Sequence, residues 1–105
     1  MSTMIPRGNI NKLMVVSVAL TPSAVSANTT AQQTFTIPGV LATDVVVAVE
    51  KPSHQAGLGV VGARVTAADT VGITFSNNTG SGITPTAAET YDFVIGRLDS
   101  VRATF

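Results

Sequence analysis

Residues 90–98 read Thr90-Tyr91-Asp92-Phe93-Val94-Ile95-Gly96-Arg97-Leu98. Side chains alternate faces along a β-strand, so Tyr91, Phe93 and Ile95 share one face. The same period recurs in Val71-Gly72-Ile73-Thr74-Phe75-Ser76, where Val71, Ile73 and Phe75 turn inward and Gly72, Thr74 and Ser76 outward. A period of two in the strongest apolar segments, rather than 3.6, sets the class of the chain.

Working outward, the same kind of segment repeats. Residues 32–37 alternate, with Phe35 and Ile37 on one face and Thr34 and Thr36 on the other. Pro38-Gly39 closes that strand. Residues 44–51 (Asp-Val-Val-Val-Ala-Val-Glu-Lys) place Val45, Val47 and Val49 on one face. Both faces are apolar near the middle, which predicts a central strand. Leu58 to Thr66 reads as a strand broken by glycines, and Ala67-Ala68-Asp69-Thr70 as the turn of a hairpin. Residues 13–20 form a first strand ended by Thr21-Pro22-Ser23, and residues 101–105 add a short edge strand.

Residues 13–20 also resemble the apolar run of a signal peptide, with Arg7 and Lys12 before it and Val25-Ser26-Ala27 after it. Their valine content suits a buried strand equally well, and we read a strand. Eight residues are far too few to span a bilayer as a helix, which takes about 20.

No segment shows an apolar period of 3.6 with caps. Short strands separated by turn signals mean a sandwich or a barrel. The expected fold is all-β, an antiparallel β-sandwich of jelly-roll or immunoglobulin-like type. Residues 13–105 form its single domain. Residues 1–12, with Pro6, Gly8, Asn9 and Asn11, form an extended N-terminal arm.

Composition narrows the function. The 105 residues suit one domain. Six basic and six acidic side chains cancel. A neutral chain has no electrostatic footprint for nucleic acid and no basic patch for an anionic membrane. There is no cysteine, hence no disulfide framework, thiol nucleophile or Cys-based zinc site, and a single histidine leaves one imidazole for acid–base work. This argues against an enzyme and against a bound cofactor. Only 11% of residues are charged, against about 25% in average proteins. Dispersed monomers normally carry far more surface charge, so the deficit predicts burial against copies or partners.

The motifs that imitate chemistry are weak. Gly57-Leu58-Gly59-Val60-Val61-Gly62 matches G-x-G-x-x-G. A polar stretch precedes it and β-like residues follow, where a dinucleotide site needs a strand and then a helix N-terminus. Glycines that permit a bulge or close packing explain it better. Ser53, His54 and Glu50 can be drawn as a triad, but neighbours in one loop rarely reach that geometry, and nothing supplies an oxyanion hole. Asp44, Asp69, Asp92 and Asp99 are scattered and form no calcium loop. Asn28-Thr29-Thr30 and Asn77-Asn78-Thr79 fit the glycosylation pattern, although Asp69, Asn77 and Asn78 are better read as turn residues.

The order of these segments resembles a known family. Ser26-Ala27-Asn28-Thr29-Thr30-Ala31-Gln32-Gln33-Thr34-Phe35-Thr36-Ile37 leads into Gly39-Val40 and Asp44-Val45-Val46-Val47. Then come Lys51-Pro52, Ala56-Gly57-Leu58-Gly59-Val60, Ala63-Arg64-Val65-Thr66-Ala67-Ala68-Asp69-Thr70, Ile73-Thr74-Phe75-Ser76-Asn77, Pro85 and Thr90-Tyr91. This order, over about residues 23–97, resembles a small β-domain of structural proteins in tailed-bacteriophage particles. Such domains occur in head decoration (cement) proteins and in tail or fibre proteins.

The resemblance implies a protein on the outer surface of the phage head, bound to the major capsid protein and stabilising the shell by bridging its subunits. It also implies a homo-oligomer, with trimers at three-fold positions. Arg7 and Lys12 in the arm are then the candidate capsid-docking residues, pairing with carboxylates of the shell. The readings kept beside it are a tail- or fibre-associated virion protein and, from a different class, a carbohydrate-binding β-sandwich module. Against the last stand the absence of tryptophan and the single tyrosine.

Overall fold

A computed structural model describes residues 8–99 and residue 102. The described chain is all-β, with six strands and no helix. They are β1 (Ile10–Leu20), β2 (Thr29–Thr36), β3 (Val45–Glu50), β4 (Leu58–Ala67), β5 (Thr70–Asn77) and β6 (Glu89–Leu98). They form two antiparallel three-stranded sheets, ordered β1-β6-β3 and β2-β5-β4.

The two strands with the cleanest alternation are the centres of the two sheets. Val71, Ile73 and Phe75 of β5 and Tyr91, Phe93 and Ile95 of β6 are completely buried in one apolar cluster. Leu20, Val25, Ile37 and Val40 extend that cluster. Burying a large apolar side chain is worth about 1.5–3 kcal/mol, so these six residues dominate the cohesion between the sheets. The arrangement is sandwich-like. The edge strands contribute half-buried residues: Met14, Val16 and Val18 from β1, Phe35 from β2, Val46 and Val49 from β3, and Leu58, Val60, Ala63 and Val65 from β4.

The strand expected to be central, residues 44–51, is instead the edge strand β3. Its faces also differ from the expectation. Val47 is an extra residue between the pairs Val46–Ile95 and Ala48–Val94. This β-bulge breaks the alternation, so Val46 and Val49 turn inward while Val45 and Val47 face solvent. Strand β4 carries a matching bulge at Val61, between the pairs Val60–Phe75 and Gly62–Thr74. The glycine-rich run thus marks a bulged strand with no helix after it, which removes the geometry of a dinucleotide site.

Strand β1 begins at Ile10, so Ile10, Asn11 and Lys12 belong to the sheet and not to an arm. Residues 1–7, including Arg7, lie outside the described residues, as does the expected edge strand at 101–105 apart from Arg102, which is in no regular element.

Buried polar groups hold the connections. Asn77 ends β5 and is almost fully buried. Its side-chain amide donates to the carbonyls of Val25 (3.0 Å) and Ser81 (2.8 Å) and accepts from the Thr79 amide (2.9 Å) and hydroxyl (2.7 Å). Asp69 sits in the hairpin turn with φ of 61° and accepts from the Gly39 amide at 2.7 Å. Both act as turn residues, and Asn77 has no free amide hydrogen left for a glycan.

Candidate interaction surface

The outer faces of the two described sheets are chemically unlike. On the β2-β5-β4 sheet the outward positions include Thr30, Gln32 and Thr34 of β2, Gly72, Thr74 and Ser76 of β5, and Arg64 of β4. They bond to one another. The Thr30 hydroxyl donates to Ser76, and Arg64 Nε donates to Gln32 Oε1 at 2.9 Å. Gln32 also lies across Gly72, where an added Cβ would meet its side chain at 2.7 Å. Val61, at the β4 bulge, is the large apolar side chain exposed on this sheet; the polar positions satisfy one another and water.

The outer face of the β1-β6-β3 sheet is apolar over half its length. Val15 is 71% exposed, Leu13 65%, Val47 56% and Ile10 53%. In register, Leu13 and Val45 flank Gly96, and Val15 and Ala48 flank Val94. A Cβ at Gly96 would stand 3.5 Å from Ile10 and 3.6 Å from Val47, ordinary van der Waals distances, so side chains from both flanking strands reach over β6 there. The other end of the face is polar: Ser17 donates to Asp92 at 2.5 Å, with Glu50 opposite Asp92 on β3. Together with Val45, the exposed side chains leave on the order of 500 Å² of apolar surface, a size at which a patch on a monomer is often functional.

Two clefts flank the core. One of about 350 Å³ runs between the bulged edges of β3 and β4 and is lined by residues 46–49 and 60–63, all apolar or glycine. The other, about 160 Å³, is lined by Met14, Val16, Ile37, Val40, Ile95 and the ion pair Asp44–Arg97 among others. That pair is structural. Arg97 donates to both Asp44 oxygens (3.1 and 2.9 Å) and to the Gly39 carbonyl (2.9 Å), while the Leu41 amide donates to Asp44 (2.9 Å). The hydrogen bond from Arg97 holds the Asp44 carboxyl below the usual range, against the opposing effect of its burial. The sequence reading missed this pair, because a lone acid at a strand start and a lone arginine 53 residues later carry no local signal.

The residues drawn as a triad do not assemble. His54 is exposed and makes no hydrogen bond to Ser53 or to a carboxylate among the described residues. Ser53 instead accepts from Lys51 (3.0 Å) and, as a donor, is the main cause of a lowered Glu89 pKa. Lys51 pairs with Glu89 at 3.0 Å, both side chains largely covered. No group of three or more His, Asp or Glu side chains is placed to hold a metal among the described residues. No helix among them is long and apolar enough to cross a membrane. Of the two candidate docking cations, Lys12 is exposed on β1 opposite Arg97, and Arg7 lies outside the described residues. Asn28 is exposed at a turn with φ of 51°. Comparison of the chain with family models, with curated proteins and with solved structures gives no match.

Proposed function

We propose that this chain is a non-catalytic assembly protein of a virus particle, a head decoration (cement) protein that docks on the outside of the shell and bridges major capsid subunits. The observation that carries the reading is the contrast between its outer faces: one is polar apart from Val61, with side chains bonded to one another, the other is apolar over half its length and uncovered among the described residues. A decoration protein needs one face for the shell and one for water, and no active site. The resemblance of the segment order to small β-domains of phage structural proteins supplies the setting.

Stabilisation follows from linkage. A protein that binds only the assembled shell raises its stability by mass action, and contacts to two neighbouring subunits multiply the effect. In this reading the apolar half of the β1-β6-β3 sheet makes the contact, and Lys12 and Arg7 remain the candidate partners for carboxylates of the shell. The N-terminal arm belongs to the same proposal.

Co-sedimentation with undecorated shells tests the surface. Val47→Lys puts a charge in the middle of the apolar half without touching the core. We expect the variant to keep the wild-type melting temperature and to lose at least about tenfold in shell affinity, which corresponds to about 1.4 kcal/mol. Equal sedimentation of Val47→Lys and wild type would remove this face from the mechanism.

A further inference from the structure

Among the described residues the sheets have four edge strands, and two of them carry a recognised defence against edge-to-edge pairing. β3 is only six residues long and bulged. β4 has register shifts at two places and carries Gly59, Gly62 and Arg64. β2 has no charge and an unbroken ladder on β5, but it is only eight residues long and most of its side chains are hydroxyls or amides, with Thr30, Gln32 and Thr34 outward. β1 differs. At 11 residues it is the longest strand, and its one irregularity lies at Asn11. From Leu13 to Leu20 (Leu-Met-Val-Val-Ser-Val-Ala-Leu) it holds no charge, no proline and no glycine, and its ladder on β6 is unbroken. Its other edge meets no strand among the described residues. Such a segment left open is a template for another strand.

We propose that the free edge of β1 pairs with β1 of a second copy, antiparallel about a two-fold axis, joining two three-stranded sheets into one of six strands. Charge supports a second copy as the occupant. Within residues 13–20 any antiparallel register sets uncharged residues against uncharged residues, so the strand is its own complement, whereas a charged partner strand would lay its charges beside Leu13 and Val15. Continuity supports it too. The joined sheets share one outer face, and a register centred on Val16 sets Leu13 opposite Ala19 and Val15 opposite Ser17 of the second copy, with the two Val15 side chains diagonal neighbours across the axis. Area sets the strength. Seven paired residues run roughly 23 Å. Pairing over that length buries on the order of 1,000 Å² in total, the lower bound for a specific interface. The dimer is therefore weak and concentration-dependent. It is also closed, because an isologous contact uses both β1 edges and stops at two. This inference stands apart from the virion reading, and it departs from the threefold symmetry that the family resemblance implies.

Sedimentation equilibrium of the full chain across the micromolar range tests it. The expected mass rises from 10.7 kDa to twice that value and no further. Val15→Lys, at a position exposed in the single copy, should hold the mass at the monomer value with an unchanged thermal melt, while Val47→Lys on the opposite edge strand should still dimerise. The chain has no cysteine, so single substitutions of Leu13, Val15, Ser17 and Ala19 by Cys report the contact directly. The disulfide-linked dimer should form fastest at the one nearest the axis, and faster there than in Thr34→Cys on β2. A monomeric or trimeric mass throughout, an undiminished dimer in Val15→Lys, or equal cross-linking from β2 would overturn the proposal.

Discussion

The side chain of Asn77 shows how a polar residue can specify a β-fold. Its amide answers two carbonyls and two donors from the loops that close the sheets, at the end of a central strand. A carboxylate of the same shape cannot donate. Asn77→Asp would face the Val25 and Ser81 carbonyls with a buried acceptor, and we expect a loss on the order of 3 kcal/mol. Chemical denaturation checks this, and a loss under about 1 kcal/mol would contradict it. Tyr91 is the opposite case. It is fully buried, and its hydroxyl has no hydrogen-bond partner among the described residues. Burial, with the charge of Glu89 adding to it, pushes its pKa from 10.0 up to about 12. The unfolded chain then releases this proton at lower pH than the folded one, so stability present below pH 10 falls as pH rises through 12. As the single tyrosine, it can be titrated by ultraviolet absorbance. A midpoint near pH 10 in the folded protein would contradict the packing described. Tyr91→Phe should leave stability within about 1 kcal/mol of wild type or raise it, since it removes only an unsatisfied group.

At the scale of elements, alternation made β5 and β6 legible, because a half-buried strand must write its two faces differently. β3 was misread for a physical reason. A strand apolar on both faces signals burial on both faces only when something covers each of them. Here two sheets stack once, so among the described residues the outer face of each is left open, and the second apolar face of β3 is an exposed patch. The bulge at Val47 then separates Val45, Val47 and Val49, expected on one face, by turning Val49 inward with Val46, and no residue type in Val-Val-Val announces it. The near-continuous apolar run in β1 carried the same message, and Leu13 and Val15 of the candidate surface could have been found from it. The start of β1 also sets where an arm can be removed. Removing residues 1–12 would strip Ile10 from its position over Gly96 and Asn9 from its bond to the Asp99 amide (2.7 Å). Removing residues 1–7 leaves both. We expect that deletion to keep the melting temperature and to weaken shell binding; full binding would exclude the arm from docking.

At the scale of the whole molecule, a low charge content and an apolar outer face point the same way. A chain with 11% charged residues has little to keep it apart from its neighbours. The structure concentrates that deficit on one sheet and spends its hydroxyl and amide side chains on the other. Such division of surface suits a protein that lies between a large assembly and water. The most direct measurement of this account is the molar ratio of the chain to the main shell protein in purified particles from its source, by quantitative mass spectrometry. A decoration protein predicts many tens to hundreds of copies per particle, in fixed proportion to the shell protein. Complete absence from the particles would contradict the account, and a handful of copies would move the protein from the head surface to the neck or tail.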